Sequence, residues 1–168
     1  IFARDRDFIL EAELNRGGRR VLRSNGVKLK NFAELSGTFQ SVLFCPEDLM
    51  VLKTGAAARR RLGDHALCAL RPNYDAALTE YNRILEQKSQ ILRDHFQYPG
   101  ILEVLPEYNT RLCQVGALLI SYRARFFESL GKAAAEYHQQ FSGGSEEFLL
   151  SYKTVSTVKD PMASVSQL

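Results

Sequence analysis

Six cations, Arg16, Arg19, Arg20, Arg23, Lys28 and Lys30, fall within fifteen consecutive residues that contain no acid. A phosphate backbone is the group such a run suits, because each cation can replace a counterion condensed on nucleic acid. The same residues also suit the solvated face of a small strand meander, and the sequence leaves both readings open. A second group, Arg59-Arg60-Arg61, puts three cations on successive helical positions, spread over about 200° of arc. At least one must then face the body of the protein, where Asp64 or a residue of the strand-rich zone is the expected ion-pair partner. The others are candidates for phosphate contact.

Nothing beside these residues points to bond-making chemistry. The sequence holds no G-x-x-x-x-G-K-[ST] phosphate loop and no G-x-G-x-x-G. No apolar strand ends in an Asp/Glu pair that would hold magnesium. His65, His95 and His138 lie in helical segments without a partner cluster and are expected to be structural. Cys45, Cys68 and Cys113 are far apart, with no zinc-ligand spacing; buried small hydrophobes in a reducing cytoplasm are expected. The Pro46-Glu47-Asp48-Leu49 segment could offer carboxylates to magnesium or a nucleotide sensor. Acidic residues in a first helical turn also cap it, and capping is the simpler account. The expectation is therefore no catalytic residue, no metal ligand and no bound cofactor in this chain, and no ATP hydrolysis by it.

The hydrophobic fraction of 45% and charged fraction of 24% are those of a soluble globular protein. A net charge of +3 and a pI near 8.8 permit nucleic-acid binding without demanding it. The longest apolar stretch, Val115 to Tyr122, is followed by Arg123 and Arg125 and falls far short of the roughly 20 residues of a membrane span. No membrane contact and a cytoplasmic location are expected. The first residues, Ile1-Phe2-Ala3-Arg4, include no initiator Met, and the ending at Gln167-Leu168 is abrupt. Both ends read as cut from a longer protein.

The elements that must position the cations change character twice. Up to residue 45 the pattern has period two: Phe8, Leu10, Ala12 and Leu14 share one face, with Glu11 and Glu13 on the other. Asn15 to Gly18 and Asn25-Gly26 are tight-turn signals, with Arg19 to Ser24 returning between them. A short helix over 32–36 should stop at Gly37, and Phe39 to Cys45 reads as a buried strand.

Helices then take over. Pro46 opens one, Gly55 stops it, and Ala56 to Leu70 forms the next, ended by Pro72. From Asn73 to about Gln97 the stripe Tyr74, Leu78, Tyr81, Leu85 and Leu92 recurs at helical spacing, with Lys88 interrupting it. After the break at Tyr98-Pro99-Gly100, a long helix should run from Pro106 to about Phe141. Leu112, Leu119, Phe126 and Ala133 lie seven apart along it, beside Gly116, Leu130 and Tyr137. The two helices should pack antiparallel. After Ser142-Gly143-Gly144, Phe148, Leu150 and Tyr152 alternate as a strand returning to the first zone. The fold class is α+β: strands over 1–45, a helical domain over 46–142 built on a long antiparallel pair, and a returning strand segment over 143–168.

The stretch from Ser41 to Leu49, containing Pro46-Glu47-Asp48-Leu49, and the following Lys53, Gly55, Arg60-Arg61-Leu62 and Asp64 resemble the central block of RecF proteins, members of the ABC/SMC-like ATPases. Arg23-Ser24-Asn25-Gly26 is similar to that family's hairpin, and Tyr74, Leu78, Tyr81-Asn82-Arg83 and Leu85 to its first long helix. Tyr122-Arg123-Ala124-Arg125 and Leu130 fit the second. Cys45 stands where the family has Ser or Ala, and Leu105-Pro106 where it has Trp-Asp. The resemblance implies an internal piece of an ABC-type head lobe with an inserted helical domain. It implies that the whole protein binds ATP and Mg, hydrolyses ATP weakly, dimerises around ATP and binds DNA. With RecR and RecO it would help load recombinase at single-strand gaps. The phosphate loop would precede this chain, and the signature and magnesium motifs would follow it. Ser142-Gly143-Gly144 only imitates a signature: such a motif acts from a helix N-terminus, whereas these glycines follow a helix and should cap it. The alternative is a non-enzymatic helical adaptor that binds protein partners.

Overall fold

The computed structural model describes residues 2–3, 6–7, 9–18, 20–30, 34, 42–155 and 160–161. Two short strands, β1 (Phe2–Ala3) and β2 (Arg6–Asp7), pair antiparallel. A second antiparallel sheet follows in the order β3 (Leu10–Glu13), β4 (Val21–Ser24), β5 (Val27–Lys28). The β4–β5 turn is Asn25-Gly26, with φ of 49° and 78°. Both residues are left-handed, as a two-residue hairpin that matches strand twist requires. Asn25 Oδ1 accepts the Ile9 N–H at 2.8 Å, which ties the turn back to the start of β3.

Within this sheet only Leu22 is buried. Leu10 is half-buried, but Ala12 and Leu14 are exposed, as are Glu11 and Glu13. The expected apolar face is therefore realised only in part, and Phe8 lies outside the described residues. A face is buried only as far as a second layer packs on it, and here that cover is complete only at Leu22. The helix expected over 32–36 and its stop at Gly37 also lie outside them, apart from Glu34. The strand expected over Phe39–Cys45 is corrected where it can be seen. Val42, Leu43 and Phe44 form no strand and are 100%, 82% and 69% exposed. An apolar run becomes a strand only when a neighbour takes its backbone hydrogen bonds, and no described strand does.

Pro46–Leu49 forms a single 3-10 turn that runs into α1 (Met50–Lys53). Thr54 and Gly55 separate it from α2 (Ala56–Leu70), and Arg71 alone separates α2 from α3 (Pro72–Asp94), with Pro72 at the first helical position. A 3-10 segment, Pro99–Val104, leads into α4 (Leu105–Ser142). At 38 residues, α4 is about 57 Å long, enough to run antiparallel past α3 and then past α2. Successive contacts trace that course: Glu80 with Arg111, Tyr81 beside Gly116, Tyr74 edge-on to Tyr122, Asp64 with Arg123, and Gly63 under Phe127.

The core sits where the three helices meet: Leu67, Tyr74, Ala77, Val115 and Leu119, flanked by Leu78, Tyr81, Leu118, Tyr122 and Phe126. Each fully buried large side chain there contributes about 1.5–3 kcal/mol. The seam of α3 differs from the expected stripe. Tyr74, Ala77, Ile84 and Ile91 are buried, while Leu85 and Leu92 are each 44% exposed. Two apolar series seven residues apart run one position out of step, and α4 packs on the one containing Ala77, Ile84 and Ile91. Along α4, Leu119 is buried and Leu112 and Phe126 half-buried, whereas Leu130, Ala133 and Tyr137 are exposed.

Gly63 has a packing role. A Cβ built there would lie 2.6 Å from Phe127 Cζ, and that ring is held, stacked on Tyr152 and edge-on to Phe126. Overpacking of this kind costs about 1–3 kcal/mol, against a gain of about 1 from helix propensity. Gly63→Ala should lower stability by about 1 kcal/mol in urea unfolding; a higher unfolding midpoint would show that the ring yields freely.

Gly143 closes α4 in the left-handed conformation, φ 62°, its N–H bonded to the Gln139 carbonyl, and Gly144 follows at φ 77°. This is the helix cap read from the sequence. The alternation beyond it is also present: Phe148, Leu150 and Tyr152 are half-buried, while Glu147, Leu149 and Ser151 are exposed. The direction is corrected. The segment pairs with no described strand and lies back along α4, Phe148 against His138, Leu150 over Gly131, Tyr152 on Phe127. A period-two face packs on a helix as readily as in a sheet when no free strand edge adjoins it. Among the described residues no helix is long and apolar enough to cross a membrane.

Candidate nucleic-acid interface

The hairpin sheet carries the first group of cations on its turns and outer strand. Arg16 stands on the β3–β4 turn, Arg20 just before β4, Lys28 on β5 and Lys30 beyond it, all exposed. Arg19 lies outside the described residues. Arg23, on β4, faces Lys28 directly in register. Like charges opposed across a ladder repel, so an anion there would relieve both. Glu11 is the register partner of Arg23 on its other side, and Glu13 reaches it at 3.5 Å. That pair is exposed and contributes no more than about 1 kcal/mol, but it half-satisfies Arg23. The cations with most to gain from a phosphate are Arg16, Arg20, Lys28 and Lys30.

Arg59, Arg60 and Arg61 are all exposed on the first turns of α2. Arg59 donates to the Thr54 carbonyl at 2.7 Å across the α1–α2 junction. The expected ion pair between one of them and Asp64 is not formed. Among the described residues no hydrogen bond or ion pair joins the sheet to α2.

Asp64 instead belongs to a cluster at the meeting point of the three helices. Arg123 Nε and Nη2 donate to Asp64 Oδ1 and Oδ2 at 2.8 and 3.0 Å, a two-pronged pair, and the Tyr74 hydroxyl donates to the same carboxylate. Arg123 Nε also reaches the Tyr74 oxygen at 2.9 Å. Burial alone would lower the Arg123 guanidinium, but its hydrogen bond to Asp64 and the adjoining negative charge outweigh this and raise it. Burial, then the bond to Asp64, pushes the Tyr74 hydroxyl above its ordinary range. The cluster fixes the angles between helices and offers no open face to a ligand. Asp64, Tyr74 and Arg123 each fall in a family-like block, but Arg123 lies 59 residues from Asp64 and nothing in the sequence pairs them.

Next to the cluster, burial and then a hydrogen bond to Asp75 push the Cys68 thiol from 9.0 up to about 12. A folded-state value raised above the unfolded one stabilises the fold below the unfolded value and loses that contribution as pH climbs toward the folded one. Cys68 and Tyr74 should therefore make the chain lose stability from about pH 9 upward. In unfolding measured from pH 8 to 11, Cys68→Ala should delay the start of the decline; an unchanged profile would remove Cys68 from the account. The three cysteines are free thiols, and only their expected burial is corrected: Cys68 and Cys45 are half-buried and Cys113 is exposed, because Cys113 falls on the outer side of α4.

Asp48 Oδ2 accepts the Cys45 N–H at 2.7 Å. The acidic pair of Pro46-Glu47-Asp48-Leu49 thus includes a helix cap, all four residues being exposed. Among the described residues no group of three His, Cys, Asp or Glu side chains is placed to hold a metal. His95 Nδ1 lies 2.7 Å from the Leu92 carbonyl, and His138 rests against Phe148 with Glu146 at 3.5 Å. His65 is exposed.

No family model matches the sequence. The chain is similar to the DNA replication and repair protein RecF of Clostridium perfringens strain 13, with 33% identity over 154 residues, 92% of this chain and 41% of the relative. To RecF of Agathobacter rectalis it is 32% identical over 149 residues, 89% of this chain and 41% of that one. It therefore spans about two-fifths of the length of the curated relatives it matches. Its fold matches part of the solved recombination mediator protein RecF with ATP, in the RecFOR pathway, at a TM-score of 0.73 and 28% identity, over 80% of this chain and 36% of the other. The same figures hold for RecF with ATPrS. A piece of RecF fits the sequence likeness and the α+β fold alike.

Proposed function

We propose that this chain, a RecF-like segment in both sequence and fold, supplies a DNA-contacting surface to an ATP-dependent recombination mediator. In this reading the hairpin cations meet the phosphate backbone, and Arg59, Arg60 and Arg61 extend or flank that contact. The whole protein binds ATP and Mg through residues outside this chain, dimerises around ATP, and works with RecR- and RecO-type proteins in loading recombinase at single-strand gaps. Residues 1–45 belong to the head lobe and 46–142 form the helical domain, with Phe148, Leu150 and Tyr152 folded back along its last helix. The catalytic step lies elsewhere in the protein. Pro46, Glu47, Asp48 and Leu49, with Arg60, Arg61 and Asp64, hold the block in shape.

The observation that carries this reading is the exposed basic run on a hairpin, where Lys28 opposes Arg23 with no acid inside the run. Phosphate contact is the common use of such cations. Acetylation of lysines with and without a gapped duplex oligonucleotide tests it. Lys28 and Lys30 should lose reactivity when DNA is bound, while Lys132, exposed on α4 beside Glu128, should keep it. Equal reactivity of Lys28 and Lys30 in both conditions would reject the hairpin as the contact.

A further inference from the structure

Tyr81, Leu85, Lys88 and Leu92 follow one another on α3 at steps of four, three and four. That spacing lines one side of a helix and, repeated, makes the seam of a coiled coil. α4 packs on the neighbouring seam instead, through Ala77, Ile84 and Ile91, which are buried. At its start Tyr81 is drawn toward the core, beside Gly116. α2 leaves the later turns bare: its Asp64 and Gly63 meet Arg123 and Phe127, so it follows α4 past the start of α3. Leu85 and Leu92 are therefore each 44% exposed, and Phe96, four residues further on, is 85% exposed. Lys88, between the two leucines, is half-buried, and among the described residues no carboxylate pairs with it.

From these features we propose that the seam is a docking site for a helix of a partner protein. That helix sets Leu- or Ile-type side chains on Leu85 and Leu92 and an Asp or Glu against Lys88. From Tyr81 to Phe96 the seam is about 22 Å long, room for a partner helix of about four turns. Charge complementarity selects this occupant. A helix without an acid would bury the Lys88 ammonium unanswered, a cost that a facing carboxylate removes. A single polar position in an apolar seam also fixes which partner sits there and in what register. A second copy brings no acid on the same seam, and nucleic acid would find one cation among carbon. This site uses none of the hairpin cations, so it stands or falls apart from the DNA reading.

A phage-displayed library of helical peptides, panned against the whole protein, tests the proposal. The counter-selection target carries Leu85→Gln and Leu92→Gln, both at exposed positions. Lys88→Glu is the second variant, and circular dichroism reports the fold of each. The expected result is enrichment of peptides with apolar residues at steps of three and four around an Asp or Glu. Synthetic copies should bind roughly ten-fold or more weakly to Lys88→Glu, and changing their acid to Lys should restore that binding. Three results would overturn the proposal. One is no enrichment over the doubly substituted target, which is also the result if the remainder of the protein covers the seam. Another is enrichment without acids, or binding that Lys88→Glu leaves unmoved. The third is a dimer of the whole protein, formed without nucleotide and lost with Leu85→Gln and Leu92→Gln, which would give the seam to a second copy.

Discussion

Replacing Arg123 by alanine should lower the unfolding free energy of this chain by about 3–5 kcal/mol, the usual cost of stranding one partner of a buried ion pair. Arg123 and Asp64 are only 16% and 18% exposed at their side chains. The carboxylate left behind would keep the Tyr74 hydroxyl but lose both guanidinium bonds, where water reaches it poorly. Arg123→Lys should recover little, because an ammonium cannot span both oxygens in the two-pronged geometry. Asp64→Ala should cost a comparable amount, and the double variant far less than the sum, since each single change already breaks the shared contact. Urea unfolding of the four proteins reads this directly. A loss below about 1 kcal/mol for Arg123→Ala would mean that solvent screens the pair as it does a surface one. The helices would then owe their arrangement to Leu67, Val115 and Leu119 alone.

The second large effect concerns the hairpin. Arg16, Arg20 and Lys28 are exposed, and the acids of β3 reach none of them; Arg23 already shares its charge with Glu13. Changing those three to alanine removes up to three phosphate contacts while leaving the sheet's buried Leu22 untouched. Near physiological salt each such contact supplies somewhat under a ten-fold gain in affinity, so the whole protein should bind DNA on the order of ten- to a hundred-fold more weakly. Removing Arg23 should do less, because its charge is already shared with Glu13. The same three changes in the Arg59–Arg61 row separate the two cationic groups: a larger loss there would move the DNA path from the sheet to α2.

Local signals were legible in the sequence where a single residue dictates the backbone. Asn25-Gly26 gave its turn because both positions need left-handed φ, Pro72 marked the end of α2, and Gly143 marked the end of α4. The length of α4 was legible for the same reason, bounded by Pro106 and the glycine pair. Choices between near-equal partners were not. Leu78, Leu85 and Leu92 form as good a stripe as Ala77, Ile84 and Ile91, and only the seating of α4 decides between them. Asp64 had three arginines within five residues and took a fourth, Arg123, fifty-nine positions away, because only that one is delivered by the helix crossing it. The unpaired Val42-Leu43-Phe44 and the returning Phe148-Leu150-Tyr152 share one cause. A period-two or apolar run fixes which residues seek cover, not what covers them. The candidate cations were legible as a group, whereas the sharing of Arg23 with β3 came only from the register.

The central claim, that the hairpin is a DNA-contacting surface, is tested most directly by the salt dependence of binding. Affinity of the whole protein for a gapped duplex would be measured across a salt series, for the natural sequence and for the Arg16→Ala, Arg20→Ala, Lys28→Ala variant. Each phosphate contact contributes about 0.9 to the slope of log affinity against log salt. The account predicts a slope shallower by about two to three in the variant. An identical slope, with the variant folded, would contradict it and leave the basic run as an ordinary solvated face.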